Sequence, residues 1–336
     1  MLCELPEFKH IDVHDVAEAI ACLHEHEGRA CVIAGATDLL TLLKDRIEGP
    51  ELKSPEILVN IKSIRGIDAI VYDEMGGLRV GAAVTLTQLQ TAGVVAEKFS
   101  LLAHAAAAVG TTQLRNMGTI GGNLCQRPRC AYFRHPHFIC FKKGGTRCYA
   151  AAGEHRFYHA IFRTGTCITA HPSDMAPAFI ALQAQAVIAG PDGEKRIPLR
   201  DFFVGAEQFT ETILKPDEFI LAVEVPEQPG TRQVFVKQRI RRAADFALAS
   251  VAIAARISSG AFTAISIVLG GVASQPHVAQ RAEELLGGKI LTRELIADAA
   301  EAALEGAKPF PANQYKVDLT KAIVRGALTS LIETNS

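Results

Sequence analysis

Thr111-Thr112-Gln113-Leu114-Arg115-Asn116-Met117-Gly118-Thr119-Ile120-Gly121-Gly122-Asn123-Leu124 is the stretch on which the reading of this chain turns. Gly118, Gly121 and Gly122 can take positive φ and let a ligand approach the main chain, so the stretch reads as a backbone cradle for a phosphate-bearing cofactor. It is neither G-x-G-x-x-G after a strand nor a P-loop, so neither standard nucleotide fingerprint applies. Five cysteines follow in the order Cys125-x4-Cys130-x9-Cys140-x7-Cys148-x18-Cys167, and the segment closes on His171-Pro172-Ser173-Asp174. No Cys-x2-Cys pair is present, which excludes ferredoxin spacing. Clustered cysteines in a chain without a secretory signal still point to metal rather than to disulfides. Two redox-capable features side by side suggest an electron-transfer protein.

Working outward, residues 101–109 are Ala-rich and apolar nearly all round, which predicts a buried helix feeding the glycine stretch. Further upstream, 30–33 is a short apolar run consistent with a buried strand. It leads into Ala34-Gly35-Ala36-Thr37-Asp38-Leu39-Leu40, a small-residue turn that opens a helix to about Asp45. Free N–H groups in such a turn suit a phosphate; a plain strand-to-helix turn capped by Thr37 or Asp38 explains the same residues. Helical spacing predicts a helix over 12–26 with Asp12 as its cap. Residues 57–61 and 78–83 read as strands, with Thr85 or Thr87 capping the next helix.

Downstream, 175–183 reads as a helix, 184–188 as a strand, Pro191-Asp192-Gly193 as a turn, 219–225 as a strand and 227–231 as a linker. Beyond the linker, strands are expected over 233–239, 248–257 and 262–269. Helices follow at about 278–286, 292–304 and 317–332. Strands followed by helices indicate an α+β C-terminal domain.

A chain of 336 residues has room for two or three domains. With 21% charged residues, a formal net charge of -1 and no tryptophan, nothing suggests nucleic acid or an anionic membrane as a partner. No apolar run reaches the ~18–20 residues of a membrane span. The start, Met1-Leu2-Cys3-Glu4-Leu5-Pro6-Glu7, lacks the basic and apolar regions of a signal peptide. The expected compartment is the cytoplasm, or the periplasm if a partner subunit carries an export signal.

Both glycine-bearing turns, the 111–124 stretch and the His-Pro-Ser-Asp motif together resemble the medium, FAD-binding subunit of three-subunit molybdenum hydroxylases, the xanthine dehydrogenase family. Arg115-Asn116-Met117-Gly118-Thr119-Ile120-Gly121-Gly122-Asn123 is the most specific element. The resemblance implies an α+β chain. A two-lobed FAD-binding domain of vanillyl-alcohol-oxidase type would occupy 1–228, with lobes at about 1–62 and 63–228. An α+β C-terminal flavoprotein domain, an antiparallel sheet with helices, would occupy 229–336. The Cys-rich insert at about 125–167 resembles that of 4-hydroxybenzoyl-CoA reductase and bacterial aldehyde oxidoreductases, where such a loop holds a 4Fe–4S cluster.

By the same resemblance, the FAD pyrophosphate rests on main-chain N–H groups of two turns. One comprises Ile33, Ala34, Gly35, Ala36, Thr37, Asp38 and Leu39; the other comprises Thr111, Thr112, Gly118, Gly121, Gly122 and Asn123. Asp174 would accept the ribityl hydroxyls with Ser173 nearby, the plainer reading being an N-cap on the helix at Met175. Lys237 matches a position near the flavin ring, where a cation favours the reduced, anionic form; an outward-facing strand lysine is the alternative. Cys130, Cys140 and Cys148 are the cluster ligands with Cys167 as the fourth, or Cys125 in its place. Cys3, Cys22 and Cys31 read as packed hydrophobes.

The loop's basic residues, Arg127, Arg129, Arg134, Lys142, Lys143, Arg147 and Arg156, would offset an anionic cluster or else form a solvated or docking face. His135, His137, His155 and His159 permit a rival Cys/His zinc site. A molybdenum-cofactor large subunit and a 2Fe–2S small subunit are the implied partners, in a heterotrimer or a dimer of heterotrimers. No plant-type 2Fe–2S spacing occurs in this chain. It shows no acid–base pair or nucleophile for substrate chemistry, so alone it is not expected to oxidise the organic substrate. A third reading makes it a non-redox assembly module that has lost FAD.

Overall fold

Ile57, Leu58 and Val59 are buried in succession, as in a strand covered on both faces. In the computed structural model, which describes residues 4–333, this strand, β3 (Ile57–Asn60), is the centre of a parallel sheet between β1 (Lys9–Asp12) and β2 (Ala30–Ile33). Cys3 lies outside the described residues. Helix α1 (Val16–Glu25) connects β1 to β2, and α2 (Leu39–Lys44) follows β2. The helix expected from residue 12 starts later. Asp12 is the last residue of β1 and its carboxylate takes Asn60 Nδ2 at 2.7 Å. Asp15 caps α1 instead, accepting the Glu18 N–H at 2.8 Å.

A second sheet is antiparallel throughout, in the order β4-β5-β8-β6-β7. Its strands are β4 (Ile70–Asp73), β5 (Gly77–Gly81), β6 (Gln185–Gly190), β7 (Gly193–Pro198) and β8 (Phe219–Val225). Of the two outer strands, β4 is the apolar run Ile70-Val71-Tyr72, whereas β7 carries Glu194, Lys195 and Arg196, charges that discourage further pairing at an edge. Between β5 and β6 run α3 (Leu86–Thr91), α4 (Gly93–Lys98), α5 (Ser100–Ala108), α6 (Thr112–Met117), α7 (Ile120–Leu124), the cysteine loop and α8 (Met175–Ala181). Thr85 starts α3 through a capping box with Gln88. The helix expected over 101–109 forms as α5, but it is buried along one face only: Leu101, Leu102, Ala105 and Ala106 lie in the core, whereas His104 and Ala107 are exposed.

The third sheet, order β12-β11-β10-β9, comprises β9 (Thr231–Gln238), β10 (Ala249–Ser258), β11 (Ala261–Gly270) and β12 (His277–Val278). Helices α9 (Gln280–Leu286), α10 (Arg293–Ala302) and α11 (Tyr315–Glu333) follow. Side chains alternate across a strand, and β10 is buried on both faces. Val251, Ile253 and Ala255 pack with α9 to α11, whereas Ala252 and Ala254 join the core of the first two sheets. That second face sets α8 against β10 and β11 and α5 against β9. The C-terminal sheet is thereby brought to the end of α8, where Asp174 stands. Among the described residues no helix is long and apolar enough to cross a membrane.

Candidate cofactor sites

The first turn leaves β2 through Gly35 and Ala36, whose φ of 59° is left-handed. Gly35 is buried against the main chain of Met117 and Gly118, and a Cβ there would overlap the Met117 carbonyl. Absence of a side chain is therefore what lets the 33–39 turn and the 111–124 stretch abut. The N–H groups of Gly35, Ala36, Thr37, Asp38 and Leu39 donate no hydrogen bond to any described residue. Successive unpaired N–H groups make an anion-binding concavity, so this turn fits a pyrophosphate.

The second stretch is not an open loop but two short helices. Thr111 caps α6 by accepting the Leu114 N–H, and Thr119 caps α7 by accepting the Gly122 N–H, both at 3.3 Å. The expected free donors at 121–123 are engaged within the fold. Gly121 N–H donates to Ala82 O at 2.9 Å, and Asn123 N–H to Thr119 O at 2.8 Å. Thr111, Thr112 and Gln113, at the start of α6, and Thr119 donate their N–H groups to no described residue. Gly121 serves packing, since its Cβ position lies 3.0 Å from the Ala82 methyl. The Asn123 side chain faces the next motif, its Oδ1 accepting from Ser173 Oγ at 2.6 Å.

At α8 it is Ser173 that caps, accepting the Ala176 N–H at 3.0 Å. Asp174 occupies the N-cap position without a side-chain cap bond, so the plainer reading of this residue fails. Its carboxylate takes Lys237 Nζ at 2.6 Å, with the two side chains only 4% and 3% exposed. Lys237 is thus turned inward from β9; it also donates to Ala108 O at 3.0 Å, as does Arg239. Burial raises the Asp174 carboxyl above the usual carboxylate range, and Lys237 and Arg239 pull it back.

Beside this pair lies a small hollow bordered by Ser173, Asp174, His171, Arg129, Tyr158 and Phe246. Sequence reading missed the last three as site residues. Tyr158 and Phe246 sit in segments without periodicity, and the Arg129 guanidinium finds the Phe246 ring at 4.7 Å only through the fold. His171 is packed into the fold. Burial pushes its imidazole down to about 3, its Nδ1 accepts the Ser173 N–H at 3.4 Å, and its ring meets the Phe203 ring edge-on at 4.7 Å.

Cys130, Cys140, Cys148 and Cys167 line a second, small hollow. Cys125 does not; it packs against the main core near Cys31, and burial pushes the two thiols up to about 12 and about 11. Main-chain N–H groups near each sulfur favour its thiolate: those of Tyr132 and Phe133 at Cys130, Lys142 and Lys143 at Cys140, Ala150, Ala151 and Ile168 at Cys148, and Thr169 at Cys167. Hydrogen bonds to sulfur of this kind accompany cluster thiolates. The Cys167 thiol, donating to Cys148, also draws the latter down to about 6.

No three His, Cys, Asp or Glu side chains among the described residues stand close enough to share one ion. The four thiols border one hollow without meeting at a point. No histidine borders the space. His135 meets His137 at a tilt and Phe138 edge-on, His155 Nδ1 faces Ala150 O, and His159 is buried elsewhere. The two hollows are neighbours, because Arg129 and Cys130, and Ala170 and Thr169, are adjacent residues lining one and the other.

Most of the loop's charge turns inward. Buried Glu211 pairs with Arg127 at 2.8 Å and Lys142 at 3.3 Å. Asp38 pairs with Arg129 at 2.8 Å and Arg134 at 2.6 Å. Lys143 donates to His135 O at 2.8 Å. Arg147 and Arg156 alone of the seven are exposed, lying over the rings of Tyr149 and Phe157. A basic docking face is therefore not what the loop presents. A further lysine, unsuspected from sequence, holds the loop's end. Lys316 Nζ, on α11, donates to Phe157 O at 3.1 Å, His159 O at 2.8 Å and Gly271 O at 2.6 Å.

A family model described as the FAD binding domain in molybdopterin dehydrogenase matches residues 6–228, and one described as the CO dehydrogenase flavoprotein C-terminal domain matches 234–331. The chain is 34% identical over 327 residues to the aldehyde oxidoreductase FAD-binding subunit PaoB of Escherichia coli K12, covering 96% of this chain and 97% of that protein. Among solved structures it superposes with a TM-score of 0.77 and 26% identity on carbon monoxide dehydrogenase from Hydrogenophaga pseudoflava, covering 97% of each chain. Quinoline 2-oxidoreductase from Pseudomonas putida 86 gives 0.75 and 26%, again over 97% of each chain.

Proposed function

The chain belongs to the family of FAD-binding medium subunits of molybdopterin dehydrogenases, and on that premise we propose that it is the electron-transfer flavoprotein of a multi-subunit molybdenum hydroxylase. It would stand between the 2Fe–2S clusters of a small partner subunit and an external acceptor or donor. A molybdenum-cofactor large subunit would act on the organic substrate. Its place is the cytoplasm, or the periplasm should a partner carry the export signal. The domain boundary falls near residue 229.

FAD, when bound, supplies the electron-carrying chemistry. The unpaired N–H groups of 35–39, with Thr111 and Thr112 opposite, would hold its pyrophosphate. Gly118, Gly121 and Gly122 keep the second stretch packed, and Asn123 holds Ser173. Asp174, with Lys237 behind it, would face the ribityl chain and ring. A 4Fe–4S cluster would sit on Cys130, Cys140, Cys148 and Cys167. The observation that carries this assignment is the convergence of four thiols, each met by main-chain N–H groups, on one hollow beside the Asp174 wall.

Anaerobic purification with partners, followed by assay of FAD, iron, sulfide and zinc, tests the reading. Roughly one FAD with about four iron and four sulfide per chain is expected. Cys167→Ser should lose iron and sulfide, and Cys125→Ser should keep them; the reverse would move the fourth ligand. A second reading keeps FAD and leaves the loop metal-free. It is favoured by the loop's own small core of Leu42, Ile47, Phe133, Ala150 and Ile168, and FAD without iron would establish it. A chain that takes up no flavin after reconstitution would remove the central claim.

Gly35→Ala tests the first turn. The added methyl must push the Met117–Gly118 main chain away, so at least about a tenfold loss of FAD affinity is expected, measured by flavin fluorescence quenching. Affinity equal to wild type would detach the 35–39 turn from the cofactor.

A further inference from the structure

Asp38 belongs to the first turn by its main chain and to the cysteine loop by its side chain. It neither caps α2 nor points its carboxylate into free space. Its Oδ1 takes Arg134 at 2.6 Å and Arg129 at 2.8 Å, and its Oδ2 takes the Arg127 N–H at 2.8 Å. The three donors lie within the span 127–134, which also contains Cys130. Arg134 folds that span on itself, donating to Pro128 O at 2.7 Å and Arg127 O at 3.2 Å. Arg129 lies over Phe246 in the wall of the first hollow. The Asp38 carboxylate is the junction where the thiol-bearing span meets the turn with five unpaired N–H groups.

Exposed ion pairs contribute little. This group differs: its side chains are only 14–18% exposed, and one carboxylate is shared among three charge-assisted or main-chain donors. Without the carboxylate the two guanidiniums would repel each other, and the span would lose its hold on the turn.

We propose that Asp38 is a positioning residue through which the closed cysteine loop sets the conformation of the 35–39 turn, so that flavin affinity depends on the state of the loop. The proposal rests on reading this turn as the pyrophosphate site. A chain stripped of iron and sulfide then binds FAD more weakly, although no cysteine touches the flavin. Loop closure precedes tight flavin binding in assembly.

The test uses the full chain, loaded with iron and sulfide or stripped of them, and measures the FAD Kd by fluorescence quenching. Asp38→Asn should weaken binding by about tenfold, within the ordinary range of coupling between sites. Arg134→Gln should weaken it less, and the double variant no more than Asp38→Asn alone. Stripping the wild type should weaken binding to a similar extent, and stripping Asp38→Asn should add nothing. Wild-type affinity in Asp38→Asn, or penalties that multiply in the double variant, would overturn the proposal. Should Asp38→Asn fail to fold by circular dichroism, Arg134→Gln in loaded and stripped forms decides by the same non-additivity. A wild type that binds FAD but never loads iron leaves the variant series at full force, and equal affinities there overturn the proposal alone. A wild type that binds no FAD brings down the flavoprotein reading and this proposal with it.

Discussion

Lys237→Met is expected to destabilise the chain by about 3–5 kcal/mol, the usual cost of removing one partner from a buried ion pair. Asp174 would be left without its 2.6 Å partner in a site where the carboxylate is 4% exposed. The cost should depend on pH with a definite sign. Burial already holds the Asp174 carboxyl above its ordinary range, and Lys237 and Arg239 are what pull it down. Removing Lys237 raises the folded-state value further above the unfolded one, about 3.9. A raised carboxyl contributes stability that is full below the unfolded pKa and is lost as pH rises through the folded one. Urea unfolding should therefore show a larger deficit at about pH 8 than at about pH 5. Lys237→Met combined with Asp174→Leu should recover much of the loss, because an apolar pair leaves no unpaired charge. A single variant as stable as wild type at both pH values would mean that the pair is hydrated. Flavin retention should fall in both the single and the double variant, since each removes a group assigned to the cofactor.

Lys316→Met should rank second, at about 3 kcal/mol or more, because three buried carbonyls lose one donor at once. Those carbonyls lie at the end of the cysteine loop and the end of β11, so hydrogen exchange should accelerate first around 157–160 and 271. Burial also pushes the Lys316 ammonium down to about 7. A lysine depressed in the folded state keeps its proton longer when unfolded, so between about pH 7 and about pH 10 the unfolded chain binds more protons and stability rises with pH. Wild type should therefore gain on Lys316→Met over that window. Parallel stability profiles would show that the ammonium keeps its ordinary pKa inside the clamp. His159, whose ring nitrogens have no partner and whose imidazole burial holds down at about 4, stays neutral throughout.

Local signals in the sequence carried much of the fold. The Ala-rich helix α5, the strand β3, the Thr85 cap and the strand-then-helix order after residue 231 each depend on contacts within a few residues, and each formed, whereas β2, expected as a buried strand, is only half-buried. Where expectation and structure part, a distant partner is responsible. Asp12 looked like a helix cap, yet β1 pairs with β3 and commits it to Asn60. The short outer strands β4 and β7 became strands because β5 and β6 offered them open edges.

The sites divide in the same way. Residue types and spacing marked both glycine-bearing turns and the cysteines, and the family resemblance added Asp174 and Lys237. They could not say that Gly121 and Asn123 already have partners for their N–H groups, because those partners are Ala82 and the cap of α7. Nor could they choose Cys167 over Cys125 as the thiol that shares the hollow with Cys130, Cys140 and Cys148. By itself, then, the sequence determined the inventory of groups and the elements that carry them, since helix caps, buried runs and turns are settled by near neighbours. Only the tertiary structure decided which groups meet: Asp174 with Lys237, Asp38 with the loop arginines, Lys316 with three carbonyls. A buried charge must find its partner wherever packing places one, and that position is a property of the whole fold.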